Sequence, residues 1–297
     1  MNLCLIVIAV VLLYSDAGVS HAAPNTASPP PAAVKRALGL SLFYQKCLMD
    51  DGFAILGSQR VSDYALHEAK YLIDSMLGGR GDIRKALVKN KVRFVVQAPT
   101  EMTTAIPEYQ DLTPASFWDK RARGLGPTPE RPAVSCGEEN LLDYPGDPYR
   151  GENILIHEFA HAVAEMGLPR VDPGFPARLQ SCYDRAMQAK LFHGFYAATN
   201  REEYWAEGVQ SYFDCNGTAG PGKRVIATRE DLKAYDPELE ALIALVFPNH
   251  AWRYVPVKRR RTEAHLRGYD PTRAPRFIWP KALIGKSQDD SSGQERK

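Results

Sequence analysis

The run His157-Glu158-Phe159-Ala160-His161 constrains this 297-residue chain more than any other segment. Two histidines four residues apart on an α-helix are related by about 400° of rotation and about 6 Å of rise, so both rings project from one face. Such a pair can bind one metal ion, and Glu158 projects to the side, where a general base would stand. The spacing therefore indicates a zinc site that activates water.

The residues around this motif favour a buried helix. A loop rich in glycine and proline precedes it, Asn153 is a suitable N-cap, and Gly167 and Pro169 predict its end. Most neighbours on the predicted helix are apolar: Ile154, Leu155, Ile156, Phe159, Ala160, Ala162 and Val163. The alternative, two surface histidines on an amphipathic helix, fits this apolar setting poorly.

The N-terminus carries the features of a secretory signal peptide. An apolar run from Leu3 to Leu13 is followed by small residues at Ser20, Ala22 and Ala23. Residues 1–22 are therefore predicted to be a signal peptide, and the mature protein to be secreted without stable membrane insertion. The segment before the run lacks Lys and Arg, so an uncleaved anchor is the alternative, although the run is short for a bilayer span.

Export bears on the cysteines, because disulfides form in oxidising compartments. Removal of the signal peptide leaves Cys47, Cys136, Cys182 and Cys215. We expect two disulfides, and the sequence leaves all three pairings open. The alternative for Cys136 is that its thiolate occupies the zinc in a latent enzyme.

The basic character of the chain is concentrated at its C-terminus. Residues 258–297 contain eleven Lys and Arg and five Asp and Glu, so the preceding residues sum to −4 although the whole chain is +2. The run from Lys258 to Arg261 predicts a basic tail that contacts polyanions or is processed, and a solvated terminal run is the alternative. No pattern typical of nucleic-acid binding is present. Asn216-Gly217-Thr218 is a glycosylation sequon if a eukaryotic cell exports the chain.

Composition divides the rest of the chain simply. Residues 23–37 are rich in proline and alanine and are predicted to form a flexible linker. Residues 38–257 show no repeat or low-complexity break, which predicts one catalytic domain. Periodicity predicts helices at Ser62–Leu77 and Asp82–Lys89 and strands at Phe53–Leu56 and Val92–Gln97. Residues 100–150 are predicted to be long loops with an edge strand that lines a cleft.

A catalytic zinc site needs a third protein ligand downstream of His161. A metzincin is excluded, because the positions where it requires Gly and His hold Ala164 and Gly167. The remaining candidates are His193, Glu202, Glu203, Glu207 and Asp214. His193 is the weaker kind of candidate, a polar residue before a glycine.

The segment Asn200–Phe213 is helix-like and carries most of these candidates. Glu203 and Glu207 share a face at a spacing of four residues, while Glu202 lies about 100° away. One carboxylate of the pair can bind zinc while the other orients a ligand. The apolar and aromatic neighbours indicate that this helix is buried.

The HEFAH motif together with Tyr196–Phe213 resembles the gluzincin metallopeptidases, and within them the catalytic domain of anthrax lethal factor. The resemblance implies that Glu203 is the third metal ligand and Glu207 the acid that orients a histidine ligand. It also implies that the Tyr196 hydroxyl stabilises an oxyanion. The fold it implies is α+β and zincin-like, with a small sheet lobe, a helical lobe and the active-site helix between them.

These observations predict a secreted zinc metallopeptidase with one Zn2+ per chain, held by His157, His161 and Glu203. Glu158 would take a proton from the zinc-bound water, which then attacks a peptide or protein substrate. Two alternatives stay open. One is a catalytically idle, secreted zinc-binding or adhesion protein, and the other is a zinc hydrolase of non-peptide bonds.

Overall fold

The computed structural model describes residues 26–217, 226–247 and 251–284. The predicted signal peptide, residues 1–22, lies outside the described residues. Within the three described ranges, no helix combines the length and the apolar character needed to cross a membrane.

A small mixed sheet forms one side of the molecule. Its strands are β1 (Lys46–Asp50), β2 (Phe53–Gly57), β3 (Arg93–Gln97), β4 (Gly124–Leu125) and β5 (Ala133–Gly137), in the order β1-β2-β3-β5-β4. The three central strands, β2, β3 and β5, are parallel and buried at every position, whereas β1 and β4 pair antiparallel at the two edges. Parallel strands covered on both faces need such continuous burial.

Helices make up most of the remaining structure. They are α1 (Ala32–Leu38), α2 (Asp63–Leu77), α3 (Gly81–Lys89), α4 (Ala115–Arg121), α5 (Glu138–Leu141), α6 (Ile154–His161), α7 (Leu168–Val171), α8 (Phe175–Gln188), α9 (Arg201–Tyr212), α10 (Arg229–Tyr235), α11 (Pro237–Val246) and α12 (Lys281–Ile284). The predicted end of the helix at Gly167 is wrong, because α6 continues through a π-helical turn, Ala162–Gly167, into α7. Pro169, the second residue of α7, has no N–H to donate, and it follows the π-helical turn directly, where the regular α-helical hydrogen-bond pattern is already interrupted.

The two faces of the sheet belong to two hydrophobic clusters. Along β2, Phe53 and Ile55 join the larger cluster, while Ala54 and Leu56 join the smaller one, as the two-residue period of a strand requires. Helix α6 belongs to the larger cluster and contacts β4 and β5 on one side and α9 on the other. The predicted α+β class is therefore confirmed, with the histidine-bearing helix between a small sheet and a set of helices.

The strongly periodic segments match their predictions. Helix α2 begins after Ser62 and ends at Leu77, and β2 and β3 lie within a residue of the predicted strands. The predicted edge strand exists as β4. The sequence did not reveal β1 or β5, since Lys46–Asp50 and Ala133–Gly137 have few β-branched or aromatic residues and acquire their strand structure by pairing.

The predicted flexible linker is wrong for its described part. Residues 32–38 form α1, Ser28 forms an antiparallel bridge with Cys47 on β1, and the Ala27 amide donates to Asp63. Proline just before a helix is compatible with its first turn, so a proline-rich composition did not exclude order here.

The predicted boundary at residue 257 also needs correction. Residues 258–284 pack back across the domain, with Leu266 and Phe277 buried and Phe277 N donating to Pro145 O at 2.8 Å. Arg260 is buried and forms an ion pair with the fully buried Glu68 on α2. Lys258, Arg259 and Arg261 are exposed, so only part of the basic run is available to a polyanion.

The expected disulfides are not formed among the described cysteines, which are four buried free thiols. Cys47 on β1 and Cys136 on β5 are separated by three inter-strand spacings, about 14 Å, which no disulfide can bridge. Cys182 contacts the Tyr204 hydroxyl near the start of α9, whereas Cys215 lies beyond the end of that helix. An even count of cysteines was therefore a poor guide, because it carries no information on their separation.

Candidate metal centre and active site

Two capped helices, α6 and α9, bring the predicted site together. The Asn153 side chain accepts from Ile156 N at 3.0 Å, and the Asn200 side chain accepts from Glu203 N at 2.7 Å. Both asparagines satisfy amides that would otherwise lack a partner in the first helical turn. Trp205, which is fully buried, donates from Nε1 to Ala160 O at 3.0 Å and holds the first turns of α9 against the last turn of α6.

Glu203 lies directly at the two histidines. Its Oε2 is 3.0 Å from His157 Nε2 and 3.5 Å from His161 Nε2, and the two Nε2 atoms are 3.2 Å apart. Ligand atoms of His157, Glu158 and His161 also fall within 4.8 Å of one another. The helix crossing thus brings together the paired rings and the carboxylate predicted to complete their ligand set.

Gln210 determines which nitrogen of His157 carries a proton. Its Nε2 donates to Asn153 O at 3.2 Å, so its Oε1 is the atom that lies 2.9 Å from His157 Nδ1. A carbonyl oxygen only accepts, and therefore Nδ1 carries the proton. In the neutral ring, His157 Nε2 is then the nitrogen with the lone pair, and it faces Glu203 and His161.

This arrangement fits a metal ion. Lone pairs of Nε2 atoms and a carboxylate oxygen repel one another at about 3 Å unless a proton or a cation lies between them. Four-coordinate ligands at about 2.0–2.1 Å from zinc are about 3.3–3.4 Å apart, close to the three separations of 3.0, 3.2 and 3.5 Å. Two imidazoles and a carboxylate are also a common ligand set for catalytic zinc.

The pKa shifts of His157 and Glu203 also favour a bound cation. Burial lowers the pKa of His157, but the hydrogen bond to Glu203 and the charges of Glu158, Glu203 and Glu207 outweigh it and raise the pKa to about 9. Burial raises the pKa of Glu203, yet its hydrogen bonds with His157 and His161 outweigh that and hold the pKa far below its usual value. The cluster therefore attracts positive charge.

Glu158 lies beside this cluster in the wall of the cleft. Burial raises the pKa of its carboxyl group, while the nearby histidines oppose the shift. A carboxylate whose proton affinity is raised above that of an ordinary glutamate is better matched to taking a proton from water and returning it. The structure thus places a suitable base next to the candidate metal ligands.

Tyr196, to which the resemblance assigns the stabilisation of an oxyanion, lies at the rim of the cleft. Its hydroxyl donates to Glu203 Oε1 at 3.0 Å and is 3.5 Å from Nη2 of Arg121 on the opposite wall. The side chain is 46% exposed, so it can turn towards a bound substrate.

The predicted role of Glu207 needs correction. Its Oε1 is 3.9 Å from His157 Nδ1, beyond hydrogen-bond distance, and its Oε2 accepts from Asn216 Nδ2 at 3.2 Å. Gln210 holds the His157 ring instead. Helical geometry could have identified it, because a residue seven positions after Glu203 returns to within about 20° of the same face.

The other candidates for the third ligand lie elsewhere. Glu202 lines the cleft but pairs with Arg201 at 2.7 Å, His193 is exposed, and Asp214 accepts from Arg229 N at 2.9 Å. The zinc-bound Cys136 alternative has no support, since that thiol is fully buried on β5 with its Sγ 3.5 Å from Gly137 O. Asn216 lines the cleft with its amide nitrogen bonded to Glu207 and Ser211, so a glycan on that nitrogen would disrupt these bonds.

Edge strand β4 and its continuation form one rim of a cleft of about 720 Å³ over the cluster. A Cβ at Gly126 would lie 3.0 Å from His161 Cβ, and one at Gly124 would lie 2.5 Å from Ile154 Cγ2 and 3.1 Å from Glu158 Cγ. These two glycines let the strand backbone lie directly on α6. Because Gly124 and Gly126 have no side chains, they determine how close the strand lies to the histidines at this rim of the cleft.

Comparisons with known proteins add little to this geometry. No family model matches the sequence, and no curated protein matches it. A solved structure of the Pro-Pro endopeptidase PPEP-2 from Paenibacillus alvei is similar at 20% identity and a TM-score of 0.41, over 66% of this chain and 98% of that chain. This similarity is too low to carry an argument about what the chain does. The resemblance to gluzincins and to lethal factor stays a prediction from the motifs.

Proposed function

We propose that this protein is an exported zinc metallopeptidase in which His157, His161 and Glu203 hold the metal. The observation that carries the proposal is the convergence of the two Nε2 atoms and the Glu203 carboxylate at 3.0–3.5 Å, with the tautomer of His157 fixed by Gln210. The apolar run at the N-terminus supports export.

Zinc at this position would lower the pKa of water and polarise a substrate carbonyl. Glu158 accepts a proton from the attacking water as its oxygen bonds to the carbonyl carbon, and the carbonyl electron pair moves onto its own oxygen. Tyr196 donates a hydrogen bond to that oxygen. Glu158 then passes the proton to the amide nitrogen as the carbon–nitrogen bond breaks.

A peptide substrate is favoured by the shape of the cleft. The rim formed by β4 is a sheet edge, where backbone groups can pair with an extended chain. A cleft of about 720 Å³ accommodates several residues of such a chain. A hydrolase of small non-peptide substrates would have no use for this edge.

The test combines metal analysis with mapping of cleaved bonds in a complex peptide mixture. The wild type should bind one zinc and cleave peptides, and a chelator should abolish cleavage. Glu158→Gln should keep the metal and lose about 10²–10⁴-fold in turnover. Glu230→Gln, a matched change at an exposed glutamate of α10, should behave as the wild type.

Each contrary result has a distinct meaning. Zinc binding without cleavage by the wild type would support the idle zinc-binding protein. Cleavage of esters but not of peptides would support the non-peptide hydrolase. Undiminished cleavage by Glu158→Gln would remove the base assignment.

A further inference from the structure

Arg121 is the last residue of α4 and lies on the cleft wall opposite Tyr196. Its backbone is held in place, because its carbonyl accepts from the Tyr149 hydroxyl at 3.1 Å. Two residues later, the fully buried Arg123 pairs with the fully buried Glu139 at 2.6 Å. The guanidinium of Arg121 therefore extends over the cleft from a rigid base.

The charge of Arg121 is unlike that of its surroundings. Among the described residues that line the cleft, it is the only Lys or Arg. The carboxylates that line the same cleft are Glu152, Glu158, Glu165, Glu202, Glu203 and Glu207. No carboxylate in the described ranges forms an ion pair with Arg121, whereas the neighbouring Arg123 and Arg201 are both paired. The side-chain contact of the Arg121 guanidinium is with the Tyr196 hydroxyl, and not with a carboxylate.

The contact with Tyr196 connects Arg121 to the catalytic cluster. Arg121 Nη2 is 3.5 Å from the Tyr196 hydroxyl, which in turn donates to Glu203 Oε1 at 3.0 Å. At 3.5 Å the first contact is weak, and a guanidinium has five N–H donors, so donors remain for a substrate. A guanidinium also donates to the phenol oxygen, which leaves the phenol proton free to be donated onward.

We infer that Arg121 is a catalytic residue that donates, together with Tyr196, to the oxyanion formed when water adds to the substrate carbonyl. The inference rests on the proposed function. In that step the carbon–oxygen bond forms, the carbonyl pair becomes the oxyanion lone pair, and the water proton goes to Glu158. Arg121 gives up no proton and supplies positive charge beside the Tyr196 hydroxyl, complementary to the oxyanion.

The first test uses Arg121→Met, Arg121→Lys and a matched control, Lys120→Met, on a peptide that the wild type cleaves. Lys120 is exposed, adjacent on α4 and absent from the cleft lining. Arg121→Met should lower kcat about 10²-fold with KM within about 3-fold, because the lost interaction exists only in the transition state. The kcat of Arg121→Lys should lie between those of Arg121→Met and the wild type, and the kcat of Lys120→Met should match that of the wild type. Added guanidinium ion should restore part of the activity of Arg121→Ala but none to Tyr196→Phe.

The second test needs no cleavage. Inorganic phosphate is a tetrahedral oxyanion, and its affinity for the zinc-loaded protein is measured by calorimetry. Arg121→Met should weaken it at least about 10-fold, while Lys120→Met changes it less than about 2-fold. Unchanged phosphate affinity in Arg121→Met, or a rise in KM at constant kcat, would overturn the inference. A wild type that binds phosphate through Arg121 but cleaves no peptide would instead overturn the proposed function.

Discussion

Two clusters of this molecule each bring a histidine against a glutamate, and they differ in whether an arginine neutralises the carboxylate. In the first, on α6 and α9, two histidines face Glu203, and no Lys or Arg in the described part of the chain forms an ion pair with that glutamate. In the second, between α2 and the C-terminal segment, Glu68 accepts from both Nη atoms of Arg260 and contacts His265 Nε2 at 2.8 Å. The second cluster is neutralised by its own arginine.

The contrast shows what distinguishes a metal site from a structural ion pair. Glutamate and histidine in contact are insufficient, since Glu68 and His265 meet that description. A candidate metal site also needs acceptors that converge without a permanent cation of their own, as the side chains of His157, His161 and Glu203 do. Tyr71 stacks on His265 at 4.5 Å and lies under Arg260 at 4.7 Å, so an aromatic ring packs against the structural cluster.

The largest expected effects come from matched substitutions at Glu68 and Glu203, the glutamates of the two clusters. Glu68→Gln leaves the Arg260 guanidinium buried without its counter-charge and should reduce the free energy of unfolding by about 3–5 kcal/mol. Zinc per folded chain should not change. Glu203→Gln should keep the fold of the metal-free protein but weaken its zinc binding. Loss of a hydrogen-bond partner of a ligand weakens zinc binding by about 10–100-fold, and loss of the ligand Glu203 should weaken it more than that. Denaturant unfolding and zinc titration measure the two effects, and zinc loss by the first variant alone would contradict the comparison.

Glu138 sharpens the comparison, because it is a buried carboxylate whose hydrogen-bond donors are both neutral. It accepts from Ser62 N at 2.8 Å and from the Tyr144 hydroxyl at 2.6 Å. Burial raises its pKa from 4.5 to about 7 in spite of these bonds. The folded protein therefore binds a proton more tightly than the unfolded chain.

The sign of the pH dependence follows from linkage. Between about pH 4.5 and 7 the folded state holds the extra proton, so the free energy of unfolding falls as pH rises, by up to about 3 kcal/mol from this group. The fall is complete above pH 7 and absent below pH 4.5. In Glu138→Gln this contribution should vanish, which denaturant unfolding of both proteins at several pH values would measure. Parallel pH profiles would show that Glu138 does not titrate in this range.

The smallest effect concerns the partner of His157 Nδ1. Gln210→Met removes the acceptor that fixes the tautomer and should weaken zinc binding about 10–100-fold, which corresponds to about 1–3 kcal/mol. Glu207→Gln, a change at a residue 3.9 Å away, should weaken it much less. Competition with a chromogenic zinc chelator gives both affinities. The opposite ranking would restore the role that the sequence assigned to Glu207.

Local sequence patterns predicted much of this site. The spacing within HEFAH, the asparagine cap at Asn153, and the helical face shared by Glu203 and Glu207 are all properties of single helices. Such properties follow from 3.6 residues per turn and need no knowledge of the rest of the molecule. Tyr196 came from the resemblance to a known family.

Long-range contacts were beyond the same patterns. Strand β5, the packing of residues 258–284, and the separation of the four cysteines depend on which segments meet. Arg121 is far in sequence from Tyr196 and looks like any other arginine before the fold places it across the cleft. Gln210 was overlooked because Glu207, a carboxylate on the same helix, had already been assigned the role of orienting a histidine ligand.

The sequence by itself determined the residues of the candidate site: two histidines and a glutamate on one helix, and a second glutamate near the start of another. Only the tertiary structure decided that these helices cross at 3.0–3.5 Å between ligand atoms, and that Glu68, Arg260 and His265 form an ion pair instead. The physical reason is the distance along the chain over which each kind of interaction acts. Helical periodicity acts over a few residues, whereas the balance of donors and acceptors around a buried group depends on every segment that packs against it.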